Sequence, residues 1–117
     1  MTSIGIDIEE VKRFKRLLVN RKSLLEKLFS AYEWTHANQK NSPQTLAGIW
    51  CAKEATVKAL SNFYKVTPTD VYISHLSSGR PFVLMIKEVC IKNFHIDISI
   101  SHTKSTATAI CLISKID

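Results

Sequence analysis

One segment, Leu46 to Leu60, constrains the fold of this 117-residue chain more than any other. It has the length and the residue composition of an α-helix. On a helical wheel its large apolar side chains form one broad face, and four alanines cover most of the remaining surface. A helix that is apolar or small nearly all round is usually buried. We therefore predict a long central helix against which the other elements pack.

Three charged residues interrupt this apolar segment: Lys53, Glu54 and Lys58. Burying such a charge without a partner costs several kcal/mol. Glu54 and Lys58 are four residues apart and can form an ion pair, which contributes only about 0.3 to 0.5 kcal/mol on an exposed helix. The residues alone leave two interpretations open. Either the helix contains an internal ion pair and a snorkelling Lys53, or the charges serve a site that binds a metal or a phosphate.

The first predicted strand, Ser3 to Glu9, alternates between apolar residues and polar or small ones. Such alternation places successive side chains on opposite faces of a sheet. We expect the buried face to be the one formed by three isoleucines, Ile4, Ile6 and Ile8. Asp7 and Glu9 then share the other face, where neighbouring carboxylates repel each other. A divalent cation or a basic partner would relieve that repulsion; the alternative is a solvated acidic strand end.

The remaining segments indicate helices in the first half of the chain and strands mostly in the second. An amphipathic helix is predicted for residues 10–19, and a shorter helical segment for residues 30–38. Further strands are predicted at 71–74, 82–85, 96–101 and 106–113, and the last two form a hairpin with His102 at its tip. The predicted class is α+β, a single domain over residues 1–117, in which an antiparallel sheet packs with the long central helix.

The charge distribution predicts an anionic partner. The net charge is +6, and the stretch from Lys12 to Lys27 holds seven basic residues against one acid. A positive surface does not by itself distinguish a nucleic acid, a membrane or an acidic protein.

The cysteines and the hydropathy indicate a cytoplasmic protein. The three cysteines are widely spaced without a CxxC pair, which is typical of reduced thiols rather than of disulfides or a zinc site. No apolar run approaches the roughly 20 residues that span a bilayer, and the first residues lack the features of a signal peptide.

Three longer segments and one short motif together resemble a known family. They are Gly5 to Phe14 (GIDIEEVKRF), Trp50 to Leu60 (WCAKEATVKAL), Ile98 to Ala109 (ISISHTKSTATA) and Gly79-Arg80-Pro81. In this order and at this spacing they resemble the holo-acyl-carrier-protein synthases, the small 4′-phosphopantetheinyl transferases. The resemblance covers essentially the whole chain and implies the fold of that family.

The resemblance implies a reaction in fatty acid and lipid biosynthesis. The 4′-phosphopantetheine arm of coenzyme A is moved to a serine of an apo acyl carrier protein, and adenosine 3′,5′-bisphosphate is released. By resemblance, Asp7 and Glu54 hold Mg²⁺ together with the pyrophosphate, and Lys58 joins them as a catalytic residue. Two carboxylates, with phosphate oxygens and water, suit the octahedron of Mg²⁺. The implied coenzyme A contacts are Lys53, Lys58, Gly79, Arg80, Pro81, His102 and Thr103.

The resemblance also implies an assembly and a protein partner. Small members of the family are homotrimers with active sites between adjacent subunits. The acidic carrier protein docks on the basic first helix, here through Lys12, Arg13, Lys15 and Arg16. The acceptor of the serine proton is left open between a metal-ordered water and Glu54 acting through water.

Some positions depart from the family pattern. Glycines that often follow the signature helix are replaced at residues 61–63, an arginine is replaced by Ile49, and an acid in the last strand is replaced at residues 114–115. Glu9 is an additional carboxylate beside Asp7 and a candidate third metal ligand. None of these departures removes a residue needed to bind metal or phosphate.

A different class of function is a small basic nucleic-acid-binding module without catalytic activity. The net charge of +6 motivates it. The predicted strands, however, lack the alternate aromatic side chains on which bases stack. The transferase is therefore the favoured hypothesis.

Overall fold

The structure is a computed structural model that describes all residues from 1 to 117. Its elements confirm the predicted α+β class with a long central helix. In chain order they are β1 (Thr2–Glu10), α1 (Val11–Asn20), α2 (Lys22–Glu26), α3 (Ala31–Asn38), α4 (Ser42–Leu60), β2 (Val71–His75), β3 (Pro81–Ile86), β4 (Phe94–His102) and β5 (Thr106–Lys115). Two short 3₁₀ turns precede β2 and β4, at Pro68–Asp70 and Ile91–Asn93. None of the helices is long and apolar enough to cross a membrane.

The strands form two antiparallel sheets. One has the order β1-β5-β4, and the other is the hairpin β2-β3. The hairpin predicted around His102 is confirmed, since His102 pairs with Ala107 at the end of β4. The turn is tied to the rest of the fold because the backbone N–H of Val11 donates to the carbonyl of Ser105 at 2.9 Å.

Helix α4 crosses all three strands of the larger sheet. Near its start, Gly48 lies against Ile100 of β4. In the middle, the thiol of Cys51 donates to the carbonyl of Ala107 in β5 at 3.5 Å. Nearer its end, the helix backbone lies against Gly5 of β1. The helix therefore runs from the β4 edge of the sheet to the β1 edge.

The contact between α4 and β1 requires residues without bulk. A Cβ atom on Gly5 would lie 2.0 Å from the carbonyl oxygen of Ala55 and 2.7 Å from the amide nitrogen of Ala59. Both atoms belong to the helix backbone, which cannot move aside as a flexible side chain can. Only glycine lets the strand approach this closely.

The prediction that the isoleucine face of β1 is buried is wrong for the single chain. Ile4, Ile6 and Ile8 are 62%, 62% and 69% exposed, and the buried positions are Ser3 and Gly5. Alternation identifies two faces of a strand but not which one meets the helix. Small residues decided the outcome here, because α4 packs closely only against the face that contains Gly5.

The exposed face of the sheet carries a continuous apolar stripe. Neighbouring β5 adds Ile110 and Leu112, which are 39% and 43% exposed; Ile110 pairs with Ile6 and Leu112 with Ile4. We define the isoleucine stripe as Ile4, Ile6, Ile8, Ile110 and Leu112. An apolar patch of this kind is typical of a protein–protein interface.

The charge of Lys53 is neutralised by a residue far away in sequence. Its Nζ atom lies 2.7 Å from Glu33 of α3 and donates to the carbonyl oxygen of Val71 at 2.7 Å. Glu33 also accepts hydrogen bonds from the backbone N–H groups of Ile73 at 2.7 Å and Ser30 at 2.8 Å. Lys53 and Glu33 are 1% and 0% exposed. This ion pair joins α3, α4 and β2 in the core.

We expect Glu33→Ala to lower the free energy of unfolding by about 3 to 5 kcal/mol, because it leaves the Lys53 ammonium buried without its counter-charge. Urea denaturation, monitored by circular dichroism, measures this loss of stability. Glu26→Ala, which removes an exposed carboxylate from α2, should change the value by less than about 0.5 kcal/mol. A Glu33 variant as stable as the Glu26 variant would contradict the assigned role of the pair.

Candidate active site

Asp7, Glu54 and Lys58 meet where the end of α4 lies on β1. Lys58 Nζ is 3.2 Å from Asp7 Oδ1 and donates to the carbonyl oxygen of Ile6 at 2.9 Å. Burial raises the pKa of the Glu54 carboxyl, and the charge of Asp7 raises it further. The three residues that the sequence predicted as catalytic are therefore brought together by β1 and α4.

The expected ion pair between Glu54 and Lys58 within α4 does not form. Lys58 makes its ion pair with Asp7 instead, and Glu54 takes part in no salt bridge closer than 4.0 Å. The positive charge of Lys58 lowers the pKa of Glu54, but burial and the nearby Asp7 outweigh it. Glu54 is thus a half-buried carboxylate in a locally negative environment.

Glu9 lies beside this cluster but is already paired. Its carboxylate accepts a hydrogen bond from Arg13, one turn into α1, and its side chain is 16% exposed. Glu9 still contributes to the raised pKa of Glu54, and Arg13 opposes that effect. The ion pair connects the first turn of α1 with the acidic edge of the sheet.

Cys51 lies behind the carboxylates and was not identified from the sequence as part of the site. Burial raises the pKa of its thiol to about 12, and the charges of Asp7, Glu9 and Glu54 add to the effect. The thiol is therefore protonated at neutral pH and is a poor nucleophile. The signal that could have found it is the spacing, because Cys51 and Glu54 are three residues apart and so share one side of the helix.

The donor atoms of this cluster suit a hard divalent cation. Asp7 and Glu54 supply carboxylate oxygens, the ligand type that Mg²⁺ prefers. Burial, and then the charge of Asp7, raise the pKa of Glu54, and a bound cation would oppose both effects. No set of three or more His, Cys, Asp or Glu side chains converges as a ready-made metal cage in the chain. Mg²⁺ usually binds through one or two carboxylates and takes its other ligands from substrate and water.

A second group of predicted residues lines a separate pocket at the other end of α4. Gly79, Pro81 and His102 face a cavity of about 190 Å³. The residues that complete its lining are Gln44, Thr45, Gly48, Ile49, His75 and Ile100. We call this cavity the β4-edge pocket. Gly79 has φ +93°, a backbone conformation that favours glycine in the tight turn between β2 and β3.

Arg80 and Thr103, also predicted to contact coenzyme A, lie near this pocket without lining it. The Arg80 guanidinium is 3.9 Å from Asp97 of β4, in an exposed pair. The Thr103 hydroxyl accepts hydrogen bonds from the backbone N–H groups of Ser105 at 3.3 Å and Thr106 at 3.1 Å, and so shapes the hairpin turn.

Lys53 is the one predicted coenzyme A contact that the structure places away from both groups. Its ammonium is held in the core by Glu33. The predicted contact with coenzyme A does not fit this position, since reaching a ligand would require breaking the buried ion pair. Lys53 instead fixes α4 against its neighbours.

The two groups of site residues lie at opposite edges of the larger sheet. Gly48, in the lining of the β4-edge pocket, and Lys58, beside Asp7, are separated by about 15 Å along the axis of α4 at 1.5 Å per residue. In one chain, therefore, no single cleft contains both the carboxylates and the His102 pocket.

The predicted carrier-docking residues lie on the surface of α1. Lys12 and Lys15 line a groove of about 380 Å³ together with Lys104 of the β4–β5 turn, and Arg13 and Arg16 are exposed on the same helix. Lys104 could not be identified from the sequence, because only the fold brings this turn next to the start of α1.

Comparison with known proteins gives a consistent result. The model of the 4′-phosphopantetheinyl transferase superfamily matches residues 3–111. The chain is 37% identical to the holo-[acyl-carrier-protein] synthase of Caldicellulosiruptor bescii, with 97% of this chain and 98% of that protein aligned. It is 32% identical to the synthase of Clostridium kluyveri, with 94% and 87% aligned.

Solved structures show the same similarity. The fold matches the Chronobacterium ammoniagenes ACPS–CoA complex with a TM-score of 0.85 and 28% identity, over 100% of this chain and 99% of that one. It matches the Helicobacter pylori holo-[acyl-carrier-protein] synthase in complex with coenzyme A with a TM-score of 0.79 and 28% identity, over 95% and 99% of the two chains.

Proposed function

Because the chain belongs to the 4′-phosphopantetheinyl transferase superfamily, we propose that it is a holo-acyl-carrier-protein synthase. It transfers the 4′-phosphopantetheine arm of coenzyme A to a serine of an apo acyl carrier protein. The observation that carries this proposal is the meeting of Asp7, Glu54 and Lys58 at the β1 edge. A module that only binds nucleic acid has no use for a half-buried carboxylate pair next to a lysine.

Asp7 and Glu54 would hold Mg²⁺ in this proposal. The metal would supply charge neutralisation for the pyrophosphate of coenzyme A. Lys58, held by Asp7 and the Ile6 carbonyl, offers a further positive charge on the same side. Glu9 is a weaker candidate for a third ligand, because Arg13 already neutralises it.

The chemistry to be supported is an in-line phosphoryl transfer. The serine oxygen forms a bond to the phosphorus that carries the pantetheine arm, and the bond from that phosphorus to the bridging oxygen breaks. Adenosine 3′,5′-bisphosphate leaves with the electron pair. Such transfers need positioning and charge stabilisation more than covalent catalysis. The serine proton would pass to a metal-ordered water or, through a water, to Glu54.

A complete site would be formed between subunits of a homotrimer. The β4-edge pocket and the carboxylates lie at opposite edges of one sheet, so the carboxylates of one copy would complete the site at the β4-edge pocket of another. The isoleucine stripe supports such an assembly, because its five large apolar side chains are 39% to 69% exposed in the single chain and burying them would be favourable.

The partner and the location follow from the charge and the cysteines. Lys12, Arg13, Lys15 and Arg16 on α1 would bind acidic residues of the carrier protein, and Lys104 extends this surface. The cytoplasm is the proposed location, supported by three cysteines that form no disulfide.

The test of the proposed reaction is incubation with apo carrier protein, coenzyme A and Mg²⁺, followed by intact-mass measurement of the carrier protein. We expect the mass to increase by one phosphopantetheine arm, and Glu54→Gln to abolish the increase. The pKa of Glu54 is higher in the folded than in the unfolded protein. Ionisation of this carboxyl therefore lowers the stability of the fold as the pH rises through the folded-state pKa. Glu54→Gln should therefore melt at a higher temperature at pH 7, with the difference shrinking towards pH 4. Near-normal transfer by this variant would show that Glu54 is not a metal ligand.

The trimer is tested by Ile6→Asp, which places a charge in the middle of the isoleucine stripe. We expect the molecular mass in solution, measured by light scattering, to fall from that of a trimer to that of a monomer. Transfer activity should fall at least a hundredfold, because the site then lacks its second half. Leu24→Asp is the matched control: Leu24 is 45% exposed on α2, outside the stripe. A trimeric, fully active Ile6→Asp protein would rule out this interface.

Carrier docking is tested by reversing the two charges Lys15→Glu and Arg16→Glu. We expect the KM for the carrier protein to rise about 5- to 30-fold, from about 0.5 to 1 kcal/mol lost at each position, with the KM for coenzyme A unchanged. Arg13 is left in place because it also pairs with Glu9. Lys92→Glu, an exposed lysine of the 3₁₀ turn before β4, serves as the control. Equal effects of the double variant and the control would mean that the carrier binds elsewhere.

A further inference from the structure

Two histidines form a stack at the wall of the β4-edge pocket. The rings of His36 in α3 and His75 at the end of β2 have centroids 3.8 Å apart and an interplanar angle of 12°. Tyr32, one turn before His36, also stacks on His36 with a centroid distance of 5.7 Å. Its hydroxyl lies 3.1 Å from Nδ1 of His75. Of these three residues only His75 lines the pocket.

Both imidazoles are neutral at physiological pH. Burial lowers the pKa of His75 to about 4, helped by the nearby His36 and Lys40. Burial and Lys40 lower the pKa of His36 as well. Two rings stacked this closely cannot both be protonated without strong repulsion. A neutral imidazole has one N–H donor and one acceptor, and the hydrogen bond made by one nitrogen sets the role of the other.

The hydrogen bond at Nδ1 of His75 determines whether its Nε2 atom is a donor or an acceptor towards the pocket. If the Tyr32 hydroxyl donates to Nδ1, then Nε2 carries the proton. His75 makes no second hydrogen bond within the chain, so this N–H is free for a ligand. An acceptor on a ligand in the pocket would complete the hydrogen bonding of the ring.

The lining of the pocket favours a neutral ring over a phosphate. None of the nine lining residues is Asp, Glu, Lys or Arg. The apolar contribution comes from Ile49, Ile100 and Pro81, and the polar one from side chains such as Gln44 and Thr45. A volume of about 190 Å³ is below the roughly 300 Å³ at which pockets for whole drug-sized ligands begin. The pocket thus suits one ring system of a larger molecule.

We propose that Tyr32 and His36 hold His75 as a neutral Nε2–H donor and that this donor binds an acceptor nitrogen on the purine base of coenzyme A. This rests on the proposed function, and it assigns His75 as a specificity-determining residue of that site. Tyr32 and His36 are positioning residues, because they act only through His75.

The protonation state is tested without any ligand. In ¹⁵N-histidine-labelled protein at pH 7, long-range ¹H–¹⁵N spectra distinguish the two neutral tautomers of His75. We expect the Nε2–H form in the wild-type protein and a mixture of tautomers in Tyr32→Phe, which lacks only the hydroxyl. A wild-type His75 that is protonated on Nδ1, or charged at pH 7, overturns the proposal.

Ligand binding is tested with coenzyme A and with adenosine 3′,5′-bisphosphate, which has the base but no pantetheine arm. We expect His75→Phe to weaken binding of both about 2- to 12-fold in calorimetry, the loss of one neutral hydrogen bond. His75→Gln, which retains an N–H donor, should stay within about twofold of the wild type. Tyr32→Phe should show a smaller loss of affinity than His75→Phe.

The remaining outcomes separate this inference from the proposed reaction. In transfer assays we expect His75→Phe to raise the KM for coenzyme A with kcat unchanged, and His95→Phe, at an exposed position of β4, to change neither. If His75→Phe weakens the binding of coenzyme A but not that of adenosine 3′,5′-bisphosphate, His75 contacts the pantetheine arm, and the proposed hydrogen bond to the base is wrong. Absence of transfer in the wild-type protein would instead refute the proposed function, while the tautomer measurement would still stand.

Discussion

The close approach of β1 to α4 is the contact on which the rest of the structure depends. It is possible only because Gly5 has no side chain where the backbone of Ala55 and Ala59 passes. Glu54 precedes Ala55 and Lys58 precedes Ala59 in the sequence, so the same contact brings their side chains to the strand end that carries Asp7. The packing of small residues therefore determines the geometry of the charged ones. A bulkier residue at Gly5 would push α4 away from β1 and would therefore separate Glu54 and Lys58 from Asp7.

The three charges of α4 have three different roles. Lys53 is neutralised in the core by Glu33, and Lys58 is neutralised at the β1 edge by Asp7. Glu54 alone has no salt-bridge partner, and burial together with the charge of Asp7 raises its pKa. In a stable fold, a half-buried carboxylate without a counter-charge is usually retained for function, because it costs stability. Among the charges of the helix, Glu54 is therefore the one whose environment favours binding of a cation.

Much of the fold could be predicted because it depends on local patterns. The apolar and small residues of α4 and the alternation in β4 and β5 identified the central helix and the His102 hairpin. The sequence did not show which residues that are distant along the chain contact each other in the fold. Lys53 was assigned to coenzyme A by resemblance, and no local pattern pointed to its counter-charge, Glu33, which lies in a different helix. The buried face of β1 was misassigned because alternation does not tell which face packs. His75 and Lys104 were missed for the same reason, since each acquires its neighbours only through tertiary folding.

The error about β1 is itself informative about assembly. The isoleucines have the strand preference and the apolarity of core residues, yet α4 occupies the opposite face, where Gly5 permits contact. Helix α4 covers one face of β1, and the apolar face formed by the isoleucines is covered only when a second protein surface packs against it. The division of the site residues between the β1 and β4 edges leads to the same requirement from an independent direction, because the carboxylates and the His102 pocket can face each other only across two chains. One assembly would satisfy both requirements, burying the isoleucine stripe and completing the site at once.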